Sequence, residues 1–325
     1  MLNKISIIGC GAVGSTLGFH LLSRLKLKEL VLVDIAADMA RGIALDLEDT
    51  RAILGCRTSV KASGDYDVIA GSDLVVFTAG IPRKDGMSRQ DLFKTNAAVA
   101  RQAASFIHKS APQAIVIAVT NPLDAITGCL LKETGFDRHR VMGMGASLDT
   151  ARLLNLLSQA TGRSVSELEG LVFGLHNNDM IVSSARMKAG GRDISALLDA
   201  EQLAGITDRV KNRGGEIVKF MKTRSAYFAP SLACSALIEA IAHDTGALMP
   251  VSVFLEGEYG LNGVCLAVPC VINRQGIAKI VEVELSVQEK AQLAKVKDYY
   301  EEFQVKSEIL NPKFETNPNF ETGKT

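Results

Sequence analysis

Ile5-Ser6-Ile7-Ile8-Gly9-Cys10-Gly11-Ala12-Val13-Gly14 is the stretch on which the fold turns. A continuous apolar run ends in glycines spaced G-x-G-x-x-G, and a helical pattern follows over 13–24. Unbroken apolarity suits a parallel strand buried on both faces. The first glycine permits a tight turn, the second lets backbone approach a pyrophosphate, and the third lets helix pack on strand. The helix N-terminus then points unpaired N–H groups at the phosphates. Gly9, Cys10, Gly11, Ala12, Val13 and Gly14 are therefore candidate dinucleotide-binding residues. Asp34 stands 20 residues beyond Gly14, after a second apolar run, Leu30-Val31-Leu32-Val33. A carboxylate there accepts ribose hydroxyls and repels a 2′-phosphate. Ile35, Ala36 and Ala37 follow without a cation, so NAD is expected rather than NADP. The same glycines could serve packing alone; Asp34 in register argues against that.

Further along, Leu74-Val75-Val76-Phe77 and Ile115-Val116-Ile117-Ala118-Val119 repeat the strand signal, with helical patterns over 39–50, 89–108 and 123–133. This alternation predicts an α/β fold whose N-terminal unit, 1–143, is a Rossmann-type doubly wound parallel sheet. Beyond Gly143 the pattern changes to long helical segments over 200–221 and 230–243, strands near 251–255 and 265–271, and a charged helix over 287–303. A C-terminal α+β substrate domain is expected over 144–310. Residues 311–325 carry a small repeat, Asn311-Pro312-Lys313-Phe314-Glu315-Thr316 followed by Asn317-Pro318-Asn319-Phe320-Glu321-Thr322, and are expected to form a mobile polar tail.

Composition narrows the function classes. The 325 residues are 47% apolar, enough for about two domains with real cores. Thirty-six basic residues balance 36 acidic ones. No basic excess points to nucleic acid or an anionic membrane, and no apolar run approaches the ~20 residues that span a bilayer. Met1-Leu2-Asn3-Lys4 has no signal-peptide character. Six cysteines lack CxxC or Cys/His spacing, so they read as reduced core thiols of a cytoplasmic protein with no metal site.

Four ordered blocks then carry a family likeness: Thr78-Ala79-Gly80-Ile81-Pro82-Arg83-Lys84-Asp85-Gly86-Met87-Ser88-Arg89, Thr120-Asn121-Pro122-Leu123-Asp124, Leu148-Asp149-Thr150-Ala151-Arg152 and Leu255-Glu256-Gly257-Glu258-Tyr259-Gly260. On residues alone, His176 could be structural, Asp149 a helix-capping acid, and Arg152 and Arg89 solvated cations. With these blocks the chain resembles the malate dehydrogenases of the lactate-dehydrogenase-like type, from Lys4 to about Phe303. The resemblance implies His176 as the base that takes the hydroxyl proton and Asp149 as its orienting partner. It implies Arg152 as a bidentate grip on the C1 carboxylate, placed one helical turn from Asp149. It further implies Arg89, on a closing loop, polarising the carbonyl oxygen, and Asn121 donating to the substrate oxygen. Asn96, the backbone at Val119, Thr120 and Asn121 would contact NAD. Arg83 occupies the position that separates malate enzymes (arginine) from lactate enzymes (glutamine), so malate or oxaloacetate is the implied substrate. A homodimer or homotetramer is implied as well.

Three positions depart from the family pattern. Asn177 follows the base where glycine is usual, and asparagine's tolerance of positive φ predicts that the turn survives. Asn178 replaces an acid, and Arg224 stands where glycine is usual. The alternatives are a dehydrogenase of broader 2-hydroxy acid range and a non-catalytic dinucleotide sensor.

Overall fold

The computed structural model of the protein describes residues 2–82 and 86–302, the side chains of Arg89 and Glu302 excepted. Among those residues lie β1 (Lys4–Ile8), α1 (Ala12–Arg24), β2 (Glu29–Val33), α2 (Ala37–Leu54), β3 (Ser59–Ser63), β4 (Leu74–Phe77), α3 (Arg89–Ser110), β5 (Ile115–Ala118), α4 (Leu123–Thr134), β6 (Val141–Gly143) and α5 (Ala146–Thr161). Five short strands follow: β7 (Leu168–Glu169), β8 (Val172–Phe173), β9 (Ile181–Val182), β10 (Lys188–Ala189) and β11 (Arg192–Asp193). The chain continues through α6 (Ala200–Met221), α7 (Phe228–Ala242), β12 (Ala247–Glu256), β13 (Asn262–Asn273), β14 (Gly276–Ile280), α8 (Val287–Ala294) and α9 (Val296–Glu302).

Strands β3-β2-β1-β4-β5-β6 pair in parallel, in that spatial order. Every residue of β4 and β5 is buried, as the unbroken apolar runs require. The chain leaves β1 towards β2 on one side, and β4 pairs on the other. The switch point of a doubly wound sheet, where ligands bind, is thus the crevice beyond the carboxyl ends of β1 and β4.

The sheet does not stop at the expected change of domain. Antiparallel β12, β13 and β14 extend it to nine strands, β12 meeting β6 at Ser252 and Gly143. Gly143 is required at that crossing. A Cβ there would come within 2.6 Å of Leu123 Cδ2 and Thr127 Oγ1 and 2.9 Å of Ser252 Cβ. A second cluster of buried side chains, built on Leu153, Leu156, Leu157, Met187 and Val210, lies under α5 and α6 against the short strands.

Several local expectations are corrected. Strand β5 ends at Ala118 rather than Val119. β3 and β6 carry no clear sequence signal, because β3 is a half-polar edge strand and β6 has only three residues. The charged C-terminal helix is two helices broken at Lys295. Beyond the break, Val296, Tyr299 and Tyr300 are buried, and Tyr300 Oη both donates to the Cys265 carbonyl (2.6 Å) and accepts its N–H (3.1 Å). Phe303 and the tail 311–325 lie outside the described residues. All six cysteines are free, five buried and Cys56 half-buried.

Candidate active site

The nucleotide end is built almost wholly from backbone. Gly9 leaves β1 at φ +103°, a conformation that glycine adopts readily. Its carbonyl accepts from Thr78 Oγ1 at 2.7 Å, tying the turn to the end of β4. At Gly14 a Cβ would overlap that same carbonyl oxygen, so packing excludes any side chain. At Gly11 a Cβ would meet nothing within 4 Å, leaving the open space a pyrophosphate needs. Helix α1 begins there without a side-chain cap, so its first N–H groups face that space. Asp34 directly follows β2, with Oδ2 accepting the Cys10 N–H (2.7 Å) and Oδ1 the Ala36 N–H (2.9 Å). Each oxygen keeps a lone pair for a ribose hydroxyl. Burial and the Asp34 charge push the Cys10 thiol up to about 12, so it stays protonated and inert. On the far side of α1, the Val13 carbonyl accepts from Ser231 Oγ of α7 at 2.9 Å.

The loops after β4 and β5 meet through Asn96 of α3, which is buried. Its Oδ1 accepts the Ile81 N–H (2.9 Å), and its Nδ2 donates to the carbonyls of Ile81 (3.2 Å) and Asn121 (2.7 Å). Asn96 therefore braces both loops, both Nδ2 protons going to backbone carbonyls. Thr120 is buried with its hydroxyl on the Ala79 carbonyl (2.8 Å), and the Val119 N–H bonds Phe77 (2.9 Å). The Asn121 side chain, by contrast, is exposed.

Three residues later Asp124 opens the path to the chemistry. Its Oδ2 accepts the main-chain N–H of His176 at 2.8 Å, and its Oδ1 accepts Ser252 Oγ at 2.7 Å. The imidazole of His176 binds through Nδ1 to Asp149 Oδ2 at 2.6 Å, and Arg152 Nη1 donates to Asp149 Oδ1 at 3.0 Å. Asp149 is fully buried in the first turn of α5. The helix cap is Gly145, so Asp149 does not cap. Arg152 sits one turn on, and the Nε and Nη2 edge of its guanidinium has no hydrogen bond among the described residues.

The electrostatics follow. Burial alone would lower the imidazole pKa of His176; Asp149, by charge and hydrogen bond, and Asp124, by charge, outweigh it and hold the pKa above its ordinary value. Burial raises Asp124, partly offset by its bonds from Ser252 and His176. An Nδ1–H held by Asp149 leaves Nε2 as the free acceptor.

The turn after His176 survives for a different reason than expected. Asn177 does not adopt positive φ. Its Oδ1 instead accepts the Asp179 N–H at 2.6 Å, an Asx turn that glycine could not make. Asn178 and Arg224 are exposed. Arg83 lies outside the described residues, as does the Arg89 side chain; the Arg89 backbone opens α3 behind a Ser88–Asp91 capping box. Asp124 and Ser252 have no role that sequence alone assigns. A first-turn acid and a strand serine are ordinary residues, and only the fold makes them neighbours.

Known proteins resemble the chain over most of its length. Residues 3–143 match the family model of the lactate/malate dehydrogenase NAD binding domain, and residues 146–303 that of the alpha/beta C-terminal domain. A Bacillus israeli malate dehydrogenase is 41% identical over 294 residues, 90% of this chain and 94% of that one. One from Anaplasma marginale (strain St. Maries) is 40% identical over 89% of this chain and 92% of its own. The crystal structure of Cryptosporidium parvum malate dehydrogenase superposes with a TM-score of 0.90 at 34% identity, covering 94% of this chain and all of that one. The lactate dehydrogenase of the same organism, complexed with lactic acid and nicotinamide adenine dinucleotide, gives 0.89 at 30% identity over 93% and 97%. The chain belongs to the lactate/malate dehydrogenase family.

Proposed function

We propose that the chain is an NAD-dependent malate dehydrogenase interconverting (S)-malate and oxaloacetate. The observation that carries the reading is Asp149, a buried carboxylate shared between the His176 imidazole and the Arg152 guanidinium. A non-catalytic dinucleotide sensor needs neither, and relatives about 40% identical carry the malate enzyme's name. When bound, NAD supplies the hydride acceptor. His176 Nε2 takes the proton of the C2 hydroxyl while Asp149 holds the ring and stabilises the imidazolium. The open edge of Arg152 grips the C1 carboxylate. Asn121 donates to the substrate oxygen, Arg89 polarises the forming carbonyl, and Arg83 meets the C4 carboxylate. The glycine turn and Asp34 hold the nucleotide, and Asn96 braces the loops between the two ends. Residues 1–143 would form the nucleotide unit and 144–310 the substrate unit of a cytoplasmic enzyme. No helix of the described residues is long and apolar enough to cross a membrane. Exposed Phe19, Leu45 and Leu232 on α1, α2 and α7 support a dimer or tetramer.

The test follows NADH consumption with oxaloacetate and with pyruvate. A charge left without its partner costs about 3–5 kcal/mol, so oxaloacetate is expected to win by several hundred-fold, and Arg83→Gln to shift preference towards pyruvate. No oxaloacetate-dependent consumption would defeat the reading; an unaltered preference in Arg83→Gln would remove Arg83 from its role.

A further inference from the structure

The reaction scheme leaves Asp124 without a task, yet its surroundings are costly. It is the second residue of α4, buried, and no lysine or arginine pairs with it among the described residues. A carboxylate so placed is tolerated only when its lone pairs are met. Ser252 from β12 meets one oxygen and the His176 N–H the other, while the N-terminal end of α4 favours a negative charge. Ser252 is also the residue that registers with Gly143, where packing leaves no room for a side chain. The carboxyl is thus locked at a junction of α4, β12 and the His176 loop. That loop is pinned a second time, Gly174 N–H donating to the Ala267 carbonyl of β13 at 2.8 Å. One histidine is therefore held at both ends by buried carboxyls, Asp149 on the ring and Asp124 on the main chain.

We infer that Asp124 is a positioning residue for proton transfer at His176, fixing the main chain from which the imidazole swings and lending its negative charge to the imidazolium. This rests on the proposed chemistry of the same site. The charged groups facing the ring are Asp149 and Arg152 from α5 and Asp124 from α4. Beyond Asp124 lie the Cys265 thiol of β13 and the Tyr300 phenol of α9, both kept protonated by burial, so neither supplies a competing charge.

Asp124→Asn preserves size, and its amide can still accept from His176 while donating to Ser252 Oγ. Removing an anion disfavours the imidazolium. Acylation of His176 by diethyl pyrocarbonate, counted on its peptide by mass spectrometry, should then titrate with a midpoint about one pH unit below the parent's. For malate oxidation kcat should fall about 10–100-fold, with NADH affinity unchanged. An unmoved acylation midpoint overturns the proposal whatever kcat does. Acylation needs no substrate, so a parent inactive on malate would defeat the functional reading while leaving the midpoints comparable. Should Asp124→Asn fail to fold, Ser252→Ala keeps the charge and loses one hydrogen bond. It should lower kcat several-fold without moving the midpoint, and a parental kcat overturns the proposal.

Discussion

At the proposed nucleotide end of the site the groups are backbone N–H, glycine and one carboxylate, all within Gly9 to Asp34. At the proposed substrate end they are side chains, three of the six buried, from Asn121, Asp124, Asp149, Arg152, His176 and Ser252, spread over 132 residues of sequence from Asn121 to Ser252. The first end depends on shape: positive φ at Gly9, an excluded Cβ at Gly14, space at Gly11. The second depends on charge in a place water hardly reaches, where a pair of carboxyls and a guanidinium set what one imidazole does. Shape is local and tolerates chemistry elsewhere. Charge in a low-dielectric site is shared, and each substitution is felt by the rest. The two ends should therefore fail in different ways.

The largest expected effect is at the substrate end. His176→Gln removes the proposed proton acceptor and keeps a polar side chain beside Asp149. Its kcat should fall about 10²–10⁴-fold, while the dissociation constant for NADH, read by fluorescence titration, stays at the parental value. A matching loss of NADH affinity would break the division between the ends. The parent carries a pH signature as well. Because the imidazole pKa is raised, oxaloacetate reduction, which needs imidazolium, should persist above about pH 6.5 and fade only as pH climbs through the raised value. Malate oxidation should run the opposite way. The sign for stability is the same as for reduction: the pairing's contribution is whole below the unfolded imidazole pKa and is lost as pH rises through the folded one. Thermal melts of parent and His176→Gln should converge with rising pH, and a gap that widens would contradict it.

The same contrast governs how much of the molecule is legible in its sequence. The run from Ile5 to Gly14 with Asp34 is legible because its physics is contiguous: a buried strand, a turn only glycine can make, a helix start. His176, Asp149 and Arg152 are legible through family blocks rather than through spacing, since nothing in a linear pattern places an acid of α5 against a loop 27 residues later. Asp124 and Ser252 are illegible for the same reason, 128 residues apart and each ordinary in its own element. Residue type suggests positive φ for Asn177, whereas its side chain closes an Asx turn instead. Beyond the break at Lys295, Tyr300 bonds Cys265, a contact across 35 residues that no helical periodicity encodes. The continuity of the sheet through β6 and β12 hides behind a single register pair.

Gly14→Ala tests the nucleotide end next. The added Cβ would overlap the Gly9 carbonyl and stand 2.9 Å from Thr78 Oγ1, so β1, α1 and the end of β4 must all shift. Overpacking of this kind costs about 1–3 kcal/mol, which urea denaturation should register together with weakened NADH binding. Turnover at saturating NADH should be reduced far less than in His176→Gln. Parental stability and affinity would mean that shape does not govern this end.

Asp34→Asn carries the smallest effect and the finest distinction, because Asp34 is the one charge in an end otherwise made of backbone. Its two oxygens already accept the N–H groups of Cys10 and Ala36. An amide presents one acceptor and one donor, so one of those N–H groups then faces another donor. Losing a charge-assisted hydrogen bond is worth about 1.5–3 kcal/mol, and the amide recovers part of it. NADH affinity should fall about tenfold, a difference of ~1.4 kcal/mol, and discrimination against NADPH should narrow as the repulsion for a 2′-phosphate disappears. At saturating cofactor kcat should match the parent's, since Asp34 acts on the nucleotide and not on the imidazole. A fall in saturated kcat would show the two ends coupled through the sheet, with charge at one reaching the proton transfer at the other.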